Sequence, residues 1–200
     1  MILTRNKTSS LVIDTLYEQA RGQNIAVLSL YCDYQAQKDQ SAVNMIGSLI
    51  KQVAMGATEI PGEIKSAFEG RGQRGGKCLR LPDMLKLFLN VISSTERVYI
   101  CVDAVDELLP QDRPEFLHTL RQIIQEASNT RLFLTGRPYI RGELDRHLTR
   151  GIYTIRIVAD QGDIARYLSQ KMDDDRDPDL MTENLRNNIM KAMLEKASEM

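Results

Sequence analysis

Three short, nearly continuous apolar runs constrain this chain more than any other feature. They are Ile25-Ala26-Val27-Leu28-Ser29-Leu30-Tyr31, Val98-Tyr99-Ile100-Cys101-Val102 and Arg131-Leu132-Phe133-Leu134-Thr135. A strand with one face in water alternates apolar and polar residues, whereas an unbroken apolar run marks a strand covered on both faces. Covering both faces takes helices on both sides, and the intervening sequence supplies them. Val12, Ile13, Leu16, Tyr17 and Ala20 recur at helical spacing, as do Val43, Ile46, Ile50, Val53 and Ala54. So do Leu81, Leu85, Phe88, Leu89 and Ile92, and then Phe116, Leu117, Leu120, Ile123, Ile124 and Ala127. Strands joined through helices run parallel, so the order predicts a three-layer α/β domain with a mostly parallel sheet. A fourth run, Tyr153-Thr154-Ile155-Arg156-Ile157-Val158, alternates and reads as an edge strand. Beyond it, Ile164, Tyr167 and Leu168 mark a helix. Asp177-Pro178 breaks the chain, and Leu185, Ile189, Met193 and Ala197 mark a last helix.

Composition narrows the function classes. With 26 Lys+Arg against 27 Asp+Glu, the net charge of −1 exerts no long-range pull on nucleic acid or an anionic membrane. No apolar run reaches the roughly 18 residues of a membrane span, and the start lacks the apolar core of a secretory leader. Three widely spaced cysteines, Cys32, Cys78 and Cys101, predict reduced thiols in a cytoplasmic setting. Glu69-Gly70-Arg71-Gly72-Gln73-Arg74-Gly75-Gly76-Lys77 reads as a flexible basic loop, and Asp173 to Asp177 as an acidic turn.

Three stretches carry chemistry. The second apolar run delivers Asp103 to its C-terminal end, followed by Ala104-Val105-Asp106-Glu107. Open α/β sheets bind their ligands at that edge. A carboxylate there can hold magnesium through water, while Asp106 and Glu107 can orient or deprotonate an attacking water. The plainer alternative is a set of solvated acids capping the next helix. The third run ends in Thr135-Gly136-Arg137-Pro138, where Arg137 is either a γ-phosphate sensor or a surface residue in a turn. Near the start, Lys7-Thr8 precedes a helical pattern, as at the end of a G-x-x-x-x-G-K-[ST] phosphate loop. In that alignment Asn6 stands at the last glycine position and Met1 at the first.

In order along the chain, these segments resemble the NACHT division of the signal-transduction P-loop NTPases, in its fungal form similar to the nephrocystin-3-like N-terminal domain. Lys7-Thr8-Ser9-Ser10-Leu11-Val12-Ile13-Asp14 resembles the G-K-T-x-L-x-x-x-V-I-D start of that group. Leu30-Tyr31-Cys32-Asp33-Tyr34 and Ile46-Gly47-Ser48-Leu49-Ile50-Lys51-Gln52 resemble its F-Y-C-D-Y strand end and L-x-S-L-L-x-Q-L helix. Asp103-Ala104-Val105-Asp106-Glu107 resembles the D-A-L-D-E form of Walker B, and Thr135-Gly136-Arg137-Pro138 the T-S-R-P of sensor 1, with glycine for serine. Asp163-Ile164-Ala165-Arg166-Tyr167-Leu168 resembles the D-I-x-x-Y-I helix that begins the lid.

The resemblance implies a P-loop NTPase-like core of the ASCE type over residues 1–158, lacking most of the first strand, and the start of a helical lid over 159–200. It implies ATP and magnesium as ligands. Asn6, Lys7 and Thr8 would contact the phosphates, and Thr8 and Asp103 would hold the metal. Asp106 and Glu107 would position water, and Arg137 would sense the γ-phosphate. The activity implied is at most a slow ATPase that switches self-association or contact with effector and repeat modules outside this chain, without nucleic-acid or membrane partners. The rival expectation is a non-catalytic α/β interaction scaffold derived from the same domain, which the missing phosphate-loop glycines favour. In such folds the first strand lies between the sensor strand and the last strand, so its loss leaves two strands without a shared neighbour.

Overall fold

The computed structural model describes residues 5–57, 59–73, 79–148, 153–157, 160–174 and 181–198. They form α1 (Arg5–Ala20), β1 (Ile25–Tyr31), α2 (Ala42–Gly56), α3 (Gly62–Gln73), α4 (Leu81–Ile92), β2 (Arg97–Asp103), α5 (Arg113–Glu126), β3 (Thr130–Leu134), α6 (Arg141–His147), α7 (Gln161–Asp173) and α8 (Glu183–Ser198). The chain divides into two compact units, Met1–Ile152 and Tyr153–Met200.

In the first unit the three predicted runs are the three strands of one parallel sheet, in the order β1-β2-β3. β2 is the middle strand, pairing Ile25 with Arg97 through Tyr31 with Asp103 on one side. On the other side Val98 pairs with Thr130 and Val102 with Leu134. Successive side chains of a strand point to opposite faces. Val98, Ile100 and Val102 therefore share a face with Leu28 and Leu30. They form one core with Ile46 and Leu49 of α2, Phe88 and Ile92 of α4, and Phe116, Leu117 and Leu120 of α5. Cys101 and Asp103 turn to the opposite face, which α1 covers with the buried residues Ser9 and Ile13. That two-sided burial is why β2 reads as an unbroken apolar run.

β1 is an edge strand, and an edge leaves backbone groups without ladder partners. The side chain of Gln52, on α2, closes this one. Its Oε1 accepts from the Ser29 N–H at 2.8 Å and its Nε2 donates to the Ser29 carbonyl at 2.8 Å. One amide thus takes the place of a ladder partner at the centre of β1.

Two sequence expectations are corrected. Glu69 to Gln73, expected as loop, continue the backbone of α3, while 74–77 of that expected loop lie outside the described residues. The helix is seeded where Ile64 is buried and Ala67 packs on the core, and strong helix formers carry it past Gly70 and Gly72. The expected edge strand at 153–158 forms no strand over 153–157, and Val158 lies outside the described residues. Alternation sets which face a strand would bury. It supplies no partner for the backbone, and without a ladder there is no strand. Tyr153, Ile155 and Ile157 are accordingly exposed at 95, 83 and 72%.

The second unit pairs α7 with α8, the two helices expected from the periodicity. Leu168 and Met172 are buried. Arg186 of α8 donates to the Ser169 carbonyl at 3.2 Å and pairs with Asp173. Asp160 caps α7, its carboxylate accepting from the Gly162 N–H at 2.7 Å.

The role of Gln52 is measurable. Gln52→Leu leaves the Ser29 N–H and carbonyl unpartnered in a half-buried position, and we expect a loss of about 1–3 kcal/mol in urea unfolding. Gln52→Glu keeps the acceptor but not the donor, so at neutral pH it restores at most part of that loss.

Candidate functional site

The C-terminal edge of the sheet gathers the acidic residues. β2 ends at Asp103, whose carbonyl accepts from the Cys32 N–H at 3.0 Å just past β1. The residue is 4% exposed. Its Oδ1 accepts two hydroxyl hydrogen bonds, from Ser9 Oγ at 2.5 Å and from Thr135 Oγ1 at 2.5 Å. Ser9 belongs to α1 and Thr135 follows β3, so one oxygen joins three elements. Among the described residues no hydrogen bond reaches Oδ2.

The next residue reverses the chain. Ala104 lies in the left-handed region at φ 55, ψ 45, a conformation that costs a non-glycine residue roughly 1–2 kcal/mol. Three hydrogen bonds hold it there. Thr135 Oγ1 accepts from the Ala104 N–H at 2.9 Å, the Thr135 carbonyl accepts from the Val105 N–H at 2.9 Å, and the Thr135 N–H donates to the Val102 carbonyl at 2.9 Å. Thr135 therefore fixes both the carboxylate and the strained turn behind it.

Asp106 and Glu107 are directed to separate partners. The Asp106 carboxylate, with its side chain 1% exposed, accepts from the Arg137 N–H at 3.2 Å and pairs with Arg137 Nε at 3.5 Å. The Tyr139 hydroxyl donates to the Asp106 carbonyl at 3.3 Å. Arg137 keeps 61% of its side chain exposed, so its guanidinium reaches both a buried acid and solvent. Glu107 Oε2 accepts from the Tyr34 N–H at 3.3 Å, and its carbonyl accepts from Gln37 Nε2 at 2.6 Å. Both partners lie in the short 3₁₀ turn Tyr34–Asp39.

Asn6, Lys7 and Thr8 belong to the first turn of α1, and their side chains lie outside the described residues. Among the described residues of α1 it is Ser9 that bonds to Asp103, next in sequence to Thr8, the expected metal ligand. The sequence held a signal for it: Ser9 stands four residues before the buried Ile13, on the stripe that faces the sheet. Thr135 was visible as part of a motif, but its tie to Asp103 depends on the parallel register of β2 and β3.

Gly136 explains a departure from the T-S-R-P pattern. A Cβ at this position would stand 2.6 Å from Ile140 Cδ1 and 3.3 Å from Val105 Cγ1. Ile140, 2% exposed, fills the space that a serine would need.

Such a domain, a parallel α/β sheet whose middle strand ends in a buried, hydroxyl-clamped aspartate, is the class that fold and site define. The chain belongs to the nephrocystin 3 N-terminal family, whose pattern matches residues 7–137. The match opens at Lys7 and closes at Arg137, so it takes in all three strands and every predicted site residue except Asn6. Neither a curated protein nor a solved structure matches the chain. Among the described residues no helix is long and apolar enough to cross a membrane.

Two tests follow from this geometry. Burial pushes the Cys32 thiol up to about 12, with the carboxylates of Asp103, Glu107 and Asp106 adding to the effect, and burial alone pushes Cys101 up to about 11. Both thiols ionise near 9 when unfolded. Their contribution to stability is therefore complete below pH 9 and lost as pH rises toward 11 and 12. Urea unfolding should lose about 1.4 kcal/mol per pH unit per thiol above pH ~9, and the combined Cys32→Ala, Cys101→Ala variant should show a correspondingly shallower slope.

The second test concerns Gly136. Gly136→Ser should destabilise by about 1–3 kcal/mol, because Ile140 must leave its rotamer. Ile140→Val removes the Cδ1 atom that obstructs the serine. Adding it should cost less in the Gly136→Ser background than in the parent, read as a positive coupling in a double-mutant cycle.

Proposed function

We propose that this domain binds Mg-ATP at the C-terminal edge of its sheet and works as a nucleotide-controlled signalling switch of the NACHT type, on a P-loop NTPase-like fold. The observation that carries the reading is the clamp on Asp103. Through Ser9 it ties the start of α1, which bears Lys7 and Thr8, to the carboxylate that ends the middle strand. A helix N-terminus offers unpaired N–H groups and a positive dipole end to phosphate. Asn6 and Lys7 would meet the nucleotide there, with Lys7 against the β- and γ-phosphates.

The oxygen donors suit magnesium, which takes one or two carboxylates and fills its remaining positions with phosphate and water. Asp103 Oδ2 and the Thr8 hydroxyl would hold it, and bound magnesium would neutralise charge on the phosphates. Asp103 stays oriented for that task through Ser9 and Thr135. Glu107, anchored at Tyr34, would orient water. Arg137 would sense the γ-phosphate, which competes for it with Asp106, and exchange between those two anions is the switch. The output is a change in self-association or in contact with modules outside this chain, with slow ATP hydrolysis resetting it.

A second reading, the non-catalytic interaction scaffold, is favoured by a different observation. Asp103 and Asp106 both have partners within the chain, two hydroxyls on Asp103 Oδ1 and Arg137 on Asp106. Calorimetric titration of the 200-residue chain with Mg-ATP discriminates them. The switch reading expects saturable binding near one to one, weakened about 10–100-fold by Lys7→Ala. Asp103→Asn should weaken binding only when magnesium is present, with thermal melting as the control for folding. Absence of binding at millimolar nucleotide defeats the switch reading.

A further inference from the structure

On the side of the sheet opposite α1, helices α2, α3 and α4 enclose a groove of about 950 Å³. No residue of the Asp103 site lines it. The volume lies near the upper end of the roughly 300–1,000 Å³ typical of small-molecule sites, which are mostly apolar with a few polar groups that orient the ligand. α2 presents two stripes. Ala42, Met45, Ile46, Leu49 and Ile50 are buried in the core. Val43, Gly47, Ile50 and Ala54, spaced by four, three and four, line the groove for three turns, a length of about 16 Å. α4 adds Met84 and Leu87, and α3 adds Ile64. At Gly47 the absent side chain leaves room for Met84, whose Cε would stand 3.2 Å from a Cβ there.

Among the described residues the groove's charge has one sign: its charged lining residues are Lys51 on α2 and Lys65 on α3, and no acid lines it. Both lysines are exposed, and among the described residues neither has an ion-pair partner. Long apolar walls below a cationic rim match an amphiphile with an aliphatic tail and a single anionic head. We infer that this groove binds a free long-chain aliphatic carboxylate, with its tail along the Val43–Ala54 stripe and its head at the lysine rim. Each methylene that displaces water from the walls adds affinity, and the head stays hydrated while facing Lys51 and Lys65.

The test is a calorimetric titration of the intact chain with monomeric dodecanoate, beside dodecan-1-ol as the neutral analogue. The expected result is saturable one-to-one binding of dodecanoate, with the alcohol clearly weaker. Lys51→Glu combined with Lys65→Glu should weaken dodecanoate binding about tenfold or more at unchanged melting temperature, since both side chains are exposed. Ala54→Phe, which fills the groove, should abolish binding. The inference is overturned if dodecanoate does not saturate below millimolar concentration, or if the alcohol binds as tightly. It is equally overturned if charge reversal leaves binding unchanged. An acidic amphipathic helical peptide serves as the rival probe: saturable peptide binding where dodecanoate fails makes the groove a helix-docking surface and removes the carboxylate assignment.

Discussion

Every backbone pairing in the sheet passes through β2. β1 and β3 do not touch each other, and each is registered only against the middle strand. Register in a parallel sheet is enforced by what must be buried on each face, because a one-residue slip exchanges the faces. Here a slip of β2 would turn Val98, Ile100 and Val102 toward α1 and drive the Asp103 carboxylate into the apolar core. Burying an unpaired charge costs far more than losing one methyl contact. The same strand thus fixes the layers and carries the acid to the sheet edge, so fold and site rest on one constraint.

Much of this was readable from the residues alone. Apolar runs without alternation announced strands covered on both sides, and the helical periodicities announced what covers them. Strands and helices whose identity depends on local pattern came out where the pattern put them. The misses have a common physical cause, which is that they depend on partners. The run at Tyr153–Ile157 has the alternation of an edge strand but no ladder, and α3 outlasts its glycines because Ile64 and Ala67 anchor it. At the site, the sequence identified Asp103, Asp106, Glu107 and Arg137 as chemistry-bearing. The pairing of Asp106 with Arg137, and the choice of Ser9 on α1 as the partner of Asp103, become visible only when the strands are set side by side.

The site is economical in how it satisfies its acids. Thr135 serves Asp103 with its proton and Ala104 with its lone pair, so a single hydroxyl holds a carboxylate and a left-handed backbone turn together. Gly136 beside it makes room for Ile140, which underlies the turn from Arg137 onward. The segment that carries Arg137 is therefore shaped as much by packing beneath it as by the charge it presents. A substitution in that packing would reach Arg137 without touching it.

The Gln52 amide makes the two borders of the sheet unequal. On the β1 side, the central N–H and carbonyl are already occupied by a side chain of α2, a helix packed in the core. On the β3 side the side-chain bond is local, from Arg131 Nη1 to the Thr130 carbonyl at 2.9 Å, and ties the strand to no helix. Among the described residues, a strand laid beside β1 would have to displace an amide held on a core helix, whereas one laid beside β3 would meet the Arg131 guanidinium, which the strand itself carries.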